Sequence, residues 1–475
     1  MESSVWEALA PSSFGLPDSE PAGRCGHVAV SSRDGQRLIV FGGYNPEGIL
    51  SDVWEFHLER REWERVNIAV GPSPPQRTYF RGCAGPPPLG VEQGQHRPVE
   101  DEVEGVYMYV FGGIDAEGNE TSDVWCLDVE NRTWHEVHQG QGQQQHYHHE
   151  SFMGEVVPRP RSNHAMCRAG EILAVHGGEC SSGASLEDLW FFRPASASWR
   201  EAANVSSTGG AAAAGPRPSR RSSHCLAFAS RCVEGAAPST SSSASTSALA
   251  GSLVLFGGLG RVDTDDGDDE SGFEEEAVPL NDLWVLSLSI ATADALVSGS
   301  DGSDGEEAGE VTFSLGGVWS LVVVDGVGPS PRSLAAIASP GQPGGNNGGD
   351  LFFFGGYGLV ELGSSEAIDG AEEEEEEGGE IILAYIDDLW RLSLASYGAG
   401  GAGQDSQGDS DVGAGMTATK WANEADMGFM GESIVEGRNG HTLIWCGDKL
   451  VLFGGFVGDS FDAGVHVAEP PSSLE

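Results

Sequence analysis

The sequence predicts an all-β protein assembled from six copies of one short-stranded unit. Three observations carry that expectation. An apolar run of four or five residues ending at Gly-Gly occurs six times. An Asp-x-Trp triplet follows each of the first five pairs, and a further Trp follows each triplet. An Arg precedes every pair. Self-similarity at a spacing of tens of residues marks a repeat architecture, in which each unit covers the apolar face of its neighbour.

The apolar runs end at Gly42-Gly43, Gly112-Gly113, Gly177-Gly178, Gly257-Gly258, Gly355-Gly356 and Gly454-Gly455. Leu38-Ile39-Val40-Phe41 and Leu351-Phe352-Phe353-Phe354 are representative. Short β-branched, aliphatic and aromatic runs stopped by glycine read as strands that are apolar on both faces. Paired glycines permit positive φ and close backbone approach. The aspartates of the triplets are Asp52, Asp123, Asp188, Asp282 and Asp388, with Trp54, Trp125, Trp190, Trp284 and Trp390. The later tryptophans are Trp63, Trp134, Trp199, Trp319 and Trp421. The arginines are Arg24, Arg77, Arg161, Arg221, Arg332 and Arg438. Four of them begin Arg-x-x-His, with His27, His164, His224 and His441, while Phe80 and Ala335 stand in the other two copies.

This phrase resembles the kelch repeat over nearly the whole chain outside its inserts. The resemblance implies one four-stranded antiparallel blade per copy, set radially around a channel. On that pattern the Arg-x-x-His segment is the inner strand a, and the Gly-Gly run is strand b. Asp-x-Trp opens strand c, and the later Trp starts the outer strand d. The sixth copy lacks its second Trp and keeps only Asp462-Ala463-Gly464-Val465-His466-Val467 as strand c. Val5-Trp6-Glu7-Ala8-Leu9 at the other end of the chain matches the outer-strand pattern of Trp63-Glu64-Arg65-Val66. Joining the two termini in one sheet removes an unpaired edge. The expectation is therefore a six-bladed kelch propeller closed by an N-terminal strand around Trp6, with an open fragment of a longer chain as the alternative.

Six such units need only ~300 residues, so residues 1–467 are expected to form one propeller carrying low-complexity inserts. These fall near 84–105, 138–157, 202–216, 230–251, 259–280, 291–310, 357–386 and 395–415, and 468–475 forms a tail. Their composition lacks the periodicity of packed elements, so they read as disordered. In kelch propellers b–c and d–a loops share one face, and a–b and c–d loops the other. Residues 259–280 and 357–386 are b–c loops on this map, and together they hold nineteen Asp and Glu residues.

The chain has 475 residues and a formal net charge of −48. So acidic a balance argues against nucleic acid and anionic membranes, which both require a basic footprint. No apolar run approaches the ~20 residues of a membrane helix. Met1 to Trp6 lacks the basic and apolar regions of a signal peptide. Eight cysteines without tight spacing read as free thiols in a reducing compartment. The expected location is cytoplasmic. Lys420 and Lys449 are the only lysines, and no Gly-x-x-x-x-Gly-Lys phosphate loop is present.

Two readings are open for the six arginines. As a crown at one mouth of the channel they would bind carboxylate or phosphate by paired hydrogen bonds, and kelch propellers that bind acidic peptides use arginines at that face. Alternatively each Arg pairs with a repeat Asp, which recurs as regularly. The repeat histidines read as buried, hydrogen-bonded packing residues. His146, His148 and His149 form a tract of the kind that binds metals weakly when nothing orients it. His135-Glu136-Val137-His138 is one residue short of His-Glu-x-x-His and falls on a strand. Kelch-type specifier proteins, which redirect glucosinolate breakdown, hold iron with Glu-x-x-x-Asp-x-x-x-His. Asp462 and His466 match two of those positions, but Gly458 stands where the Glu is needed. No Tyr, Cys and His set like that of galactose oxidase is present, nor a Gly-x-Ser-x-Gly elbow.

The expected function is therefore non-catalytic, with no cofactor: a monomeric scaffold or adaptor that binds a basic protein partner through its b–c and d–a loop face. The alternative is a metal-dependent enzyme of the specifier type.

Overall fold

The computed structural model describes residues 6–11, 19–90, 106–140, 156–202, 216–230, 249–260, 277–292, 313–316, 319–324, 326–339, 350–361, 381–396, 416–423, 427 and 435–469. The fold is all-β. The one helical element among the described residues is a single 3-10 turn, Pro194–Ser196. Each repeat contributes an antiparallel sheet whose strands pair in chain order. In the first, Val28–Ser31, Arg37–Phe41, Val53–His57 and Glu62–Arg65 lie side by side. The second holds Arg81–Gly85, Tyr107–Phe111, Val124–Asp128 and Thr133–His138. The third runs from Ala165–Ala169 to Ser198–Glu201, and the fifth from Ala336–Ala338 to Met416–Asn423. The fourth extends from Cys225–Ser230 to Trp319–Leu321 and carries extra pairing at both ends.

The last sheet draws on both ends of the chain. Thr442–Cys446, Lys449–Phe453 and Val465–Ala468 pair in order, and Glu7–Ala8 adds the outer strand, with Glu7 opposite Val467 and Ala8 opposite His466. Trp6 is 1 % exposed beside this strand. Its indole meets Phe354 of the fifth repeat edge-on at 5.2 Å.

That contact recurs throughout the molecule. The residue before each Gly-Gly receives the outer-strand Trp of the following repeat: Trp134 on Phe41 at 4.7 Å, Trp199 on Phe111 at 5.0 Å, Trp319 on His176 at 5.8 Å. Trp421 meets Phe256 at 5.5 Å, and Trp63 of the first repeat meets Phe453 of the sixth at 5.1 Å. Each sheet thus covers the aromatic end of its neighbour's second strand. Such edge-to-face pairs add to the area they bury. The glycines make room for the next repeat. A Cβ on Gly112 would stand 2.7 Å from the Arg161 carbonyl oxygen, and φ there is +62°.

Two expectations need correction. The Arg-x-x-His segment is not itself the inner strand, which starts after the His at Val28, Ala165, Cys225 and Thr442. The residue two after each Arg has positive φ, which interrupts the extended chain. The inserts are also shorter than composition suggested, because their ends continue the sheets. Tyr357–Glu361 pairs with Ile381–Tyr385, and Leu249–Gly260 pairs with Val278–Thr292. Trp445, without a place in the repeat pattern, packs on Phe352 at 5.6 Å. The acidic runs 263–270 and 372–377, the tract His146 to His149 and the Gly/Ser-rich stretches lie outside the described residues.

Candidate functional site

The residues two after the repeat arginines form a collar. Gly26, Tyr79, Asn163, Ser223, Leu334 and Gly440 all have φ between 51° and 64°. Four carry side chains in a conformation that costs a non-glycine residue ~1–2 kcal/mol. Backbone hydrogen bonds pass from one repeat to the next around the collar. The amides of Asn163, Ser223 and Leu334 donate to the carbonyls of Tyr79, Asn163 and Ser223 at 3.0, 2.8 and 2.9 Å. Gly440 donates to Leu334 at 3.4 Å, and Gly26 of the first repeat donates to Gly440 of the sixth at 2.8 Å. Inside lies a central cavity of about 200 Å³, walled by Val28, Gly82, Ala165, Leu226, Ala336 and Leu443, one from each repeat.

The six repeat arginines are at most 3 % exposed. Arg24 grips Asp52 with both terminal nitrogens, Nη1–Oδ1 at 2.7 Å and Nη2–Oδ2 at 3.1 Å. It also donates to the carbonyls of Gly42 and Ala22, and the indole of Trp54 donates to Asp52 Oδ2 at 2.7 Å. Arg77 with Asp123, Arg161 with Asp188, Arg221 with Asp282 and Arg332 with Asp388 repeat the arrangement. In the sixth repeat Arg438 holds Asp462, and His466 stands 3.7 Å from that carboxylate in place of the indole. The arginines are thus committed to carboxylates of the chain itself. The six Gly-Gly pairs, the second Trp of each of the first five repeats and Trp6 serve the packing between sheets described above.

At Asp52, Asp123, Asp188 and Asp282 burial raises the carboxyl, but the facing guanidinium and indole N–H more than offset it, so Asp52, Asp123 and Asp282 titrate below the usual range and Asp188 at about 2. Burial, reinforced by nearby arginines, pushes His27, His164 and His224 well below 6.5, and His176 and His441 to about 3. These imidazoles are neutral. His27 Nε2 meets Thr442 Oγ1 at 2.9 Å, and His441 Nε2 donates to the Phe354 carbonyl at 3.0 Å. Neither ring nitrogen of His164 has a partner among the described residues. No group of three or more His, Cys, Asp or Glu side chains placed to hold a metal occurs among the described residues.

The most open chemistry at the mouth is aromatic, and reading the sequence without aligning its repeats missed it. Tyr357, Phe456 and Tyr44 each follow a Gly-Gly pair. Joined by Tyr385, Phe461 and Tyr79, they form one continuous arc. Ring centroids are 5.1 Å apart for Tyr357 and Tyr385, 5.9 Å for Tyr385 and Phe456, and 5.0 Å for Phe456 and Phe461. Phe461 and Tyr44 follow at 5.9 Å, then Tyr44 and Tyr79 at 5.5 Å. All six rings are partly exposed. They come from connections between strands b and c, except Tyr79, which enters the inner strand of the second repeat. Ile381 and Leu383, on the hairpin that carries Tyr385, are also exposed. Across the mouth the arc gives way to Glu120 and Glu179. Glu120 Oε1 accepts from Ser162 at 3.1 Å, and Glu179 Oε1 from Ser222 at 2.6 Å. Burial, with the Glu179 charge adding, raises Glu120 to about 7 despite the Ser162 bond.

Comparison with known proteins agrees with the repeat phrase. Residues 95–232 match the family model described as the KLHDC2/KLHL20/DRC7 Kelch-repeats domain, and residues 23–68 match the Kelch motif. An F-box/kelch-repeat protein of Arabidopsis thaliana is 28 % identical over 36 % of this chain and 30 % of its own length. Adagio protein 3 of the same plant is 30 % identical over 25 % of this chain and 16 % of its own. Human multiple epidermal growth factor-like domains protein 8 is 27 % identical over 27 % of this chain and 4 % of its own. The similarity therefore spans under a third of each of these relatives.

Proposed function

We propose that this chain, which is a kelch-repeat protein, is a non-catalytic binding module that holds a protein partner on the face built from its b–c and d–a connections. Kelch-repeat domains are generally protein-interaction modules. The aromatic arc from Tyr357 to Tyr79 carries the reading. Six adjacent, partly exposed rings offer large rigid contact area, and aromatic residues dominate the energetics of protein interfaces. The reading takes residues 1–467 as one closed ring of six blades, with 468–475 a tail. Its support is the Trp contact repeated between successive repeats, the collar bond from Gly26 to Gly440, and Glu7–Ala8 pairing with the last strand.

We further take the partner to be basic. By sequence order the acidic inserts belong to the b–c connections of the fourth and fifth repeats, and the second of them links Tyr357–Glu361 to Ile381–Tyr385 along the chain. Such charge steers a Lys/Arg-rich surface and speeds encounter more than it tightens the final complex. Its reach is about 8 Å at physiological ionic strength.

The test is affinity capture from extract with three forms of the chain: native, Tyr385→Ala/Phe456→Ala, and Arg60→Ala between strands c and d. A protein retained by the native and Arg60→Ala forms, lost from the aromatic variant and binding faster at low salt, is the expected result. Retention of the same proteins by all three forms would move the binding surface elsewhere.

A further inference from the structure

The central cavity has one permanently charged side chain in its wall, Arg81. It lies four residues after the repeat arginine Arg77, where the other repeats have Val28, Ala165, Cys225, Ala336 and Thr442. Sequence position alone therefore sets it apart. Its Nη1 donates to the carbonyl of adjacent Phe80 at 3.1 Å. Among the described residues no carboxylate lies within ion-pair distance of it, because the repeat aspartates are held by the repeat arginines. Cys225, Tyr44 and Cys25, which line the cavity with it, are the groups whose ionised forms would face its charge. All three are neutral at pH 7, since burial raises the two thiols to about 11 and 12 and the phenol further still. The imidazoles of His27, His224 and His441 in the same wall are neutral as well. Arg81 is half-buried, and a guanidinium withdrawn from water in a cavity wall is normally paired with a counter-charge.

The geometry points to the central cavity as a binding site for a small oxyanion, a carboxylate or a phosphate, held by the Arg81 guanidinium. The planar guanidinium matches both groups through two parallel hydrogen bonds. Tyr44, Tyr79 and Asn439 add hydroxyl and amide groups to the same wall. A volume of about 200 Å³ admits an anion of acetate or phosphate size with water and excludes a folded chain. The site shares Tyr44 and Tyr79 with the aromatic arc but takes its charge from Arg81, which is not part of the arc, so loss of the anion response in Arg81→Val and loss of partner binding in Tyr385→Ala/Phe456→Ala are separate results.

Thermal melting of the full chain tests it, with sodium acetate and sodium phosphate titrated separately against sodium chloride at constant ionic strength. The native protein should show a saturable rise in Tm with acetate, phosphate or both, and the anion that produces it identifies the class. Arg81→Val, which copies the residue of the first repeat, should lose that rise and melt higher than the native protein in anion-free buffer. Arg81→Lys keeps the charge but not the paired donors, and should need at least tenfold more anion for half its effect. A native Tm that never saturates with either anion, or an equal rise in Arg81→Val, overturns the proposal. If Arg81→Val fails to fold, equal half-saturation for the native and Arg81→Lys forms overturns it instead.

Discussion

Asp123 satisfies two demands with one carboxylate: it neutralises Arg77 through both oxygens and accepts the indole N–H of Trp125. Arg77 is 1 % exposed, so removing its partner leaves a buried cation with no water to solvate it. Breaking such a pair costs ~3–5 kcal/mol. Asp123→Ala should lower the unfolding free energy measured in urea by that much, while Glu117→Ala, on an exposed turn, should leave it unchanged. A silent Asp123→Ala would free the arginines for the ligand-binding role that their recurrence also suggested. The titrations give a second expectation, which concerns acid. The buried histidines have folded pKa values below about 6.5, so the stability they contribute is complete above that pH and is lost as pH falls toward about 3, the value for His176 and His441. Asp52, Asp123, Asp188 and Asp282 are also depressed, so their contribution is complete above about 4 and is lost as pH falls toward about 2, the value for Asp188. Glu120, raised to about 7, works in the opposite sense as a single group. Tm measured from pH 8 to 3 should therefore decline from about pH 6.5 and steepen below about pH 4. A Tm that is flat between pH 7 and 4 would mean the imidazoles are not neutral and buried.

Among elements, the strands were the most legible feature of the sequence. Leu38 to Phe41 and its five counterparts announce themselves, because a run apolar on both faces and closed by Gly-Gly has few other physical readings. Asp-x-Trp was equally plain, since a carboxylate that recurs in step with an Arg implies a pair. The start of the inner strand was misread. Nothing in the letters Tyr79, Ser223 or Leu334 announces positive φ, which the collar imposes through bonds to the neighbouring repeat. The reach of the strands into the inserts was hidden for a related reason. Ile381 to Tyr385 forms a strand because Tyr357 to Glu361 pairs with it, not because of its own pattern. The candidate site was the least legible part. Tyr385 and Phe461 follow no repeat rule, and Arg81 stands out only once the repeats are superimposed. A site made from departures from a repeat is invisible to a reading that looks for the repeat.

For the molecule as a whole, the central claim is that six repeats close into one ring through the strand beside Trp6. Each Trp–aromatic contact joins a repeat to its predecessor, so a ring has no weak end, whereas an open array would leave the first and sixth sheets uncovered. Trp63 on Phe453 and Trp6 on Phe354 are the two of these Trp contacts that depend on both termini meeting. Removing a buried Trp costs ~3–5 kcal/mol, a large part of the ~5–15 kcal/mol that holds a domain folded. The most direct measurement is calorimetric melting of native protein, Trp6→Ala, and a form lacking residues 1–10, with Val70→Ala as an exposed-site control. Closure predicts one cooperative transition in native protein, a Tm lower by several degrees in Trp6→Ala, a lower one still with aggregation in the deletion, and no change in the control. Melting of Trp6→Ala and the deletion at the native temperature would contradict it.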